Sequence, residues 1–286
     1  MVFLTSIATL LVICSGVIHA CWNLFTKRSL NKQVFLWSIH VLAVAALFPF
    51  VAVELFTNAL QTPVVYYVLL SFFSQLAYVY LMSKAYQFGD LSQVYPIIRG
   101  TSAFFVPIVG ILLFGESLSL FGWVGLACVT GGLLIISGLG TSKMDALSYK
   151  AILFAFLVGL STIGYVLGDK VTLQYLSPLT VLEISNLGFV VAFAWVSLKS
   201  KEELRREWQV NKKTIILGAI MSPTSYLLFL LAMKMAPLAH IAPVREIGTV
   251  FGTLFGIYIL KEQQGLKRVM MSAVITVGII CIGMWG

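Results

Sequence analysis

Apolar residues fall in ten long runs, at roughly 3–26, 34–56, 64–88, 91–115, 119–138, 147–169, 178–198, 213–235, 238–260 and 266–285, separated by polar breaks. Each run is close to the ~20 residues a helix needs to cross a hydrocarbon core, and none shows the ten-residue alternation of a membrane barrel strand. The pattern predicts an all-α membrane protein with ten transmembrane helices. One break is longer. KSKEELRREWQVNKK, 199–213, is charged along its length and predicts a helix lying at the membrane surface rather than a site of chemistry. The opening run lacks a basic start and a small-residue cleavage site, so it is expected to remain as the first span.

Two runs break the apolar pattern in the same way. Asp90 to Glu116 contains Arg99, Pro96 and Pro107, and Pro237 to Glu262 contains Arg245 and Pro243. Arg99 lies nine residues past Asp90, about 13 Å of helix into a core about 30 Å thick, hence near the midplane. An ionisable residue at that depth costs several kcal/mol unless paired or wet, and so marks a functional site. Other pairs keep nearly the same spacing. Lys27 and Lys170, Trp22 and Tyr165, and His40 and Glu183 are 143 apart; Gly89 and Ala236, and Pro96 and Pro243, are 147 apart; Arg99 and Arg245, Glu116 and Glu262, and Gly132 and Gly278 are 146 apart. Two five-span repeats follow, 1–140 and 147–286, dividing at LGTSKMDALS (139–148). Five is odd, so the second repeat enters the membrane with opposite orientation, giving an inverted repeat within one integrated membrane domain.

Composition agrees with this reading. With 286 residues, 59% hydrophobic and 10% charged, and a mean hydropathy of +0.97, the chain lacks the polar surface of a soluble globule. The net charge of +8 does not point to nucleic acid, because the basic residues sit in particular loops. Fifteen of the 19 lysines and arginines follow the odd-numbered spans, while only Lys170 and Lys234 lie on the other side and two are intramembrane. The positive-inside rule then places the odd loops in the cytoplasm and both termini outside it, with the bacterial inner membrane as the expected location. Cys14, Cys21, Cys128 and Cys281 have no metal or disulfide spacing, so they read as core thiols.

Several polar and aromatic residues are candidates for a site between the repeats. Arg99 and Arg245 present planar forks suited to carboxylate or phosphate; alternatively they pair internally with Glu183 and Glu246. Glu246 follows Arg245 directly and points ~100° away around a helix, which favours a partner on another helix. Tyr78, Tyr95, Tyr165 and Tyr226 offer rings for an organic solute, or packing. Trp22 and Asn23, with His19, cluster on the first span and read either as substrate contacts or as belt and helix-packing residues. His40, the counterpart of Glu183, is a packing histidine or a proton handler. Gly248, Gly252 and Gly256 form a GxxxGxxxG packing face, while Glu116 and Glu262 read as helix-end determinants.

HACWN at 19–23 with Lys27, AYQFGDLSQVYPIIRG at 85–100, LLFGE at 112–116 and GWVGLACVTGGLLI at 122–135 resemble the drug/metabolite transporter superfamily, in particular its ten-span EamA-type members. The second half departs from the first, with APVRE where YPIIRG stands and KEQ in place of GES. The resemblance implies two inverted five-helix repeats around a central cavity, moving small organic metabolites, commonly outward. The favoured expectation is a secondary transporter of a small metabolite carrying an anionic group, working by alternating access, with proton coupling at Glu183, Glu246 or His40. No nucleotide-binding loop and no cofactor pattern is present in the sequence, so no cofactor is expected. An intramembrane lipid-modifying enzyme is the alternative from another class, but HExxH, GxSxG and Cys/His/Asp groupings are absent from the sequence. A non-transporting membrane receptor is the third reading.

Overall fold

A computed structural model describes residues 2–57, 62–89, 91–137, 146–259, 261 and 266–286. These residues form eleven helices: α1 (Val2–Arg28), α2 (Lys32–Thr57), α3 (Thr62–Phe88), α4 (Leu91–Phe114), α5 (Leu120–Ser137), α6 (Ala146–Thr172), α7 (Pro178–Lys199), α8 (Lys201–Met235), α9 (Leu238–Val244), α10 (Ile247–Tyr258) and α11 (Leu266–Trp285). Nine of them are long and apolar enough to cross a membrane. The remaining span, the ninth, is made of α9 and α10 together. Asp90 and Glu262, the division at 139–145 and part of its flank lie outside the described residues.

The ninth span breaks at Arg245–Glu246 for a local reason. Pro243 has no N–H to give, and beyond it the backbone tightens to three-residue hydrogen bonds, from Glu246 N to Pro243 O (3.0 Å), Gly248 N to Arg245 O (3.2 Å) and Thr249 N to Glu246 O (2.8 Å). Tightening of this kind marks a strained or functional point in a helix. Its counterpart α4 runs unbroken through Pro96 and Pro107.

The charged stretch after α7 is helical, as its pattern predicts. It is the first part of α8, set off by a kink at Asn211 (φ −111°, ψ 19°). Fully buried Glu207 accepts from the Asn31 backbone N–H (2.9 Å) and from Asn211 Nδ2 (2.6 Å). Trp208 Nε1 donates to Ser38 on α2 at 3.0 Å. The segment is therefore docked on the start of α2.

Packing repeats across the two halves. α3 lies on α6 as α8 lies on α1; α4 lies on α6 as α10 lies on α1; α7 lies on α3 as α2 lies on α8. α4 lies on α5 as α9 and α10 lie on α11, and two further contacts, α2 with α7 and α5 with α11, join each helix to its own counterpart. Exchange of the halves maps these contacts onto one another, as a two-fold axis between inverted repeats requires; the packing of α7 on α8 has no equal between α2 and α3. At the α5–α11 crossing the backbones nearly touch. A Cβ on Gly125 would lie 2.5 Å from Gly278 O, and one on Gly278 would lie 2.6 Å from Gly125 O. Of the GxxxGxxxG glycines, Gly248 makes such an approach, to Gly16 on α1, whereas Gly252 faces open space.

Helix ends inside the bundle are closed by side chains from distant helices, because a bilayer offers no water to their free backbone groups. Glu116, just past α4, accepts from Leu238 N and Ala239 N at the start of α9, both at 2.8 Å. Glu54 of α2 accepts from Ser177 N (2.7 Å), from the Ser177 hydroxyl and from Thr180 Oγ1 at the start of α7. Lys170 of α6 donates to Met233 O (2.6 Å) and Ala236 O (3.3 Å) at the end of α8. The helix-end reading of Glu116 holds.

Candidate functional site

The break in the ninth span places two side chains in the space between the repeats. Glu246 points toward α4 and meets Arg99 in a two-point ion pair, with Arg99 Nε 2.9 Å from Oε2 and Arg99 Nη2 2.7 Å from Oε1. Thr249 Oγ1 adds a third donor at 3.2 Å. The partner of Glu246 is thus on another helix, as the angular argument from sequence expects.

Arg245 is placed differently. Its guanidinium carbon lies 4.3 Å from the ring centroid of Phe229 and 5.2 Å from that of Tyr226, both on α8. Its Nε is buried without a hydrogen-bond partner, and it makes no ion pair among the described residues. Stacking on aromatic faces stabilises a guanidinium but leaves its in-plane N–H donors available. The two arginines with one carboxylate leave one positive charge uncompensated there.

A cleft runs between these groups, lined by Arg99 and Ser102 from α4, Thr162 and Tyr165 from α6, Phe229 from α8 and the Arg245–Glu246 break. Helices of both repeats contribute. Tyr165 links the aromatic candidates, its ring edge-on to Tyr78 of α3 (centroids 6.0 Å apart) and to Tyr226 (6.2 Å). Tyr95 sits one turn before Arg99 on α4, within reach of the charges of Arg99, Glu246 and Arg245. His19 of α1 also feels both arginines and packs edge-on to Trp22 at 5.0 Å.

Other candidates lie elsewhere. Trp22 is buried in an apolar cluster with Phe35, Ile39 and Phe193, its Nε1 without a partner. Asn23 is half-buried on α1. His40 is held within α2 by Leu36 O (2.7 Å) and stacked on Phe189 of α7 (4.2 Å). Glu183, 2% exposed, forms no ion pair with either arginine, and neither of its oxygens has a hydrogen-bond partner of good geometry among the described residues. Internal pairing therefore uses one carboxylate, Glu246, and not two.

Sequence reasoning passed over Phe229, Ser102 and Thr162, whose residue types carry no signal in apolar runs. It also passed over Asp169, fully buried on α6 one turn beyond Tyr165.

The sequence profile of the EamA-like transporter family matches residues 6–138 and 149–284, one copy in each half. Among curated proteins none matches the chain in sequence. Solved structures do match, 28 chains in all. One, titled only "Crystal structure of protein", superposes with a TM-score of 0.73 over 98% of this chain and 99% of that one, at 12% sequence identity, a likeness of fold alone. Two matched copies spanning nearly the whole sequence, on a two-fold helical bundle, decide the classification: the chain belongs to the EamA-like transporter family, membrane transporters of the drug/metabolite transporter superfamily.

Proposed function

We propose that the protein is a secondary active transporter that exports a small organic metabolite carrying an anionic group. In this reading, residues 1–140 and 147–286 rock against each other in a bacterial inner membrane, with both termini outside the cytoplasm. One observation carries the reading. Arg245 is held in place by two aromatic rings, yet among the described residues has no carboxylate of its own. A buried cation without a counter-ion is costly, and an arriving carboxylate or phosphate removes that cost while engaging the guanidinium fork in two parallel bonds.

Arg99 has a supporting part. Its charge is balanced by Glu246, so it sets the field without binding anion as strongly as Arg245. Tyr78, Tyr95, Tyr165 and Tyr226 flank the organic body, and Trp22 with Asn23 forms the wall behind His19. Glu246 releases Arg99 on protonation and is the coupling group nearest the substrate; Glu183 and His40, counterparts across the repeat, serve coupling at a distance.

Purified protein screened by thermal shift against a panel of small carboxylates, phosphates, amines and neutral metabolites tests this. Stabilisation confined to anionic or zwitterionic compounds, abolished by Arg245→Gln, is expected. Stabilisation by cations alone sinks the anion reading. A reporter fused after Gly286, active only in the cytoplasm, is expected to stay silent.

A further inference from the structure

A further buried carboxyl lies one turn beyond the cleft. Asp169 is 0% exposed. The Ser71 hydroxyl of α3 donates to its Oδ1 and the Tyr226 hydroxyl of α8 to its Oδ2. Ser71 lies nine residues from the start of α3 and Tyr226 nine residues before the end of α8. Asp169 itself lies three residues before the end of α6, and its carboxyl is held between these two hydroxyls inside the bundle.

Among the described residues no cation pairs directly with Asp169. Its neighbour Lys170 is committed to the carbonyls of Met233 and Ala236. Among the described residues, Tyr226 is the titratable group that α8 turns toward it, Tyr165 the one from α6, and α3 supplies only Ser71; no charged side chain of α3, α4 or α8 reaches it. A carboxylate so enclosed, without a counter-ion, is the type of group that takes a proton in a membrane interior.

The contacts give that proton a mechanical meaning. Ionised, the carboxylate accepts from both hydroxyls, and charge-assisted bonds of this kind are about twice as strong as neutral ones. Ser71 belongs to the first repeat, and Asp169 and Tyr226 to the second, so one of these bonds ties the halves together. When one proton from the aqueous phase adds to a carboxylate oxygen, the group becomes a donor. The carboxyl then donates to one hydroxyl oxygen, whose own hydrogen turns elsewhere, both bonds lose their charge assistance, and the tie weakens. Tyr226 is also one of the two rings that face Arg245, which links this carboxyl to the anion site.

We propose that Asp169 is a proton-binding site of the transport cycle, linked through Tyr226 to the anion held at Arg245. This rests on the anion reading of Arg245. Tyr226 stands between the two, its hydroxyl on Asp169 and its ring against Arg245; an anion at Arg245 cancels the positive charge beyond that ring and favours the proton on Asp169, so anion and proton travel together. Outward flux is then driven by accumulation of the metabolite inside and opposed by an acid exterior.

The test needs no substrate. Infrared difference spectra of the protein in lipid nanodiscs, acid minus alkaline, are expected to show the carbonyl stretch of a buried protonated carboxyl. Asp169→Asn removes that band, while Glu246→Gln and Glu183→Gln leave it. Ser71→Ala and Tyr226→Phe keep the carboxyl and each move the band, which covers the case in which Asp169→Asn does not fold. Arg245→Gln shifts the midpoint of the band upward by up to about one pH unit, the scale of one charge removed on the far side of Tyr226 in a protein interior, and Arg245→Lys shifts it far less. A band absent from the native protein, unchanged in Asp169→Asn, or with a midpoint indifferent to Arg245→Gln overturns the proposal. Failure of the anion reading shows separately, in the thermal-shift screen, with the infrared band intact.

Discussion

Arg99 and Glu246 are 147 positions apart, in different repeats, and meet through two hydrogen bonds of 2.9 and 2.7 Å. The pair therefore joins the halves at the site itself. Its members are not equivalent in what their loss leaves behind. Removing Glu246 strands two guanidiniums, whereas removing Arg99 strands one carboxylate beside Arg245, a cation that can still compensate it.

A double-mutant cycle reads this difference. Glu246→Leu is expected to destabilise by about 3 to 5 kcal/mol, the range for breaking a buried pair by removing one partner. Arg99→Met is expected to cost less, and the double variant less than Glu246→Leu alone. Thermal unfolding in a fixed detergent measures all three. Additive losses show that the two residues act independently.

Arg245 makes a sharper functional prediction. Its planar group stacks on Phe229 and Tyr226, which a lysine ammonium does less well, and lysine offers a point charge in place of a fork. Arg245→Lys is therefore expected to retain anion-induced thermal stabilisation with affinity lowered about tenfold, the loss of one charge-assisted bond of ~1.5 kcal/mol. Arg245→Gln is expected to abolish it. Equal affinity in all three proteins removes Arg245 from the binding site.

The architecture was legible because membrane physics leaves few choices. Runs of apolar residues must be helices, and the repeated arginines expose the internal symmetry. A partner for Glu246 on another helix followed from adjacency, since Glu246 cannot point where Arg245 points; that the partner is Arg99 did not. The break at Arg245–Glu246 was harder to see. Pro243 has a counterpart in Pro96, and α4 stays continuous there, so proline alone does not decide it. Asp169 was missed because the apolar run ends at that position, which suggests a solvated helix end. In the structure α6 continues to Thr172, and other helices extend well past it. Likewise, Glu183 and Glu246 look alike as carboxylates in spans, yet only Glu246 faces an arginine.

Symmetry also exposes a strained position. Gly115 ends the first copy's α4 at φ +65°, and the Glu116 N–H returns to Gly110 O at 3.4 Å, a glycine-terminated helix end. The position 146 residues later is Lys261, at φ 54°. A side chain in this left-handed region costs about 1 to 2 kcal/mol, which glycine avoids. Lys261→Gly is expected to stabilise by roughly 1 kcal/mol, read as a higher midpoint of thermal unfolding, with anion binding unchanged. A fall in stability shows that the lysine side chain makes a compensating contact.

Glu116 connects helix closure to the site. Both of its oxygens accept backbone N–H groups at the start of α9, and α9 is only seven residues long before it reaches Arg245. A helix this short has few internal hydrogen bonds, so its orientation depends on how its first turn is held. Glu116→Gln keeps one acceptor oxygen and loses the charge, and is expected to cost about 1 kcal/mol; Glu116→Ala leaves both N–H groups unmet and is expected to cost about 2 kcal/mol. The informative outcome is the second effect. Because α9 carries Arg245, Glu116→Ala is expected to weaken anion-induced stabilisation as well as fold stability. Glu54→Ala is the matched control. It opens the start of α7 in the same way, on a helix that supplies neither arginine, and is expected to lower stability while leaving anion affinity at the native value. Equal effects of the two substitutions on affinity show that the closure of α9 does not position Arg245.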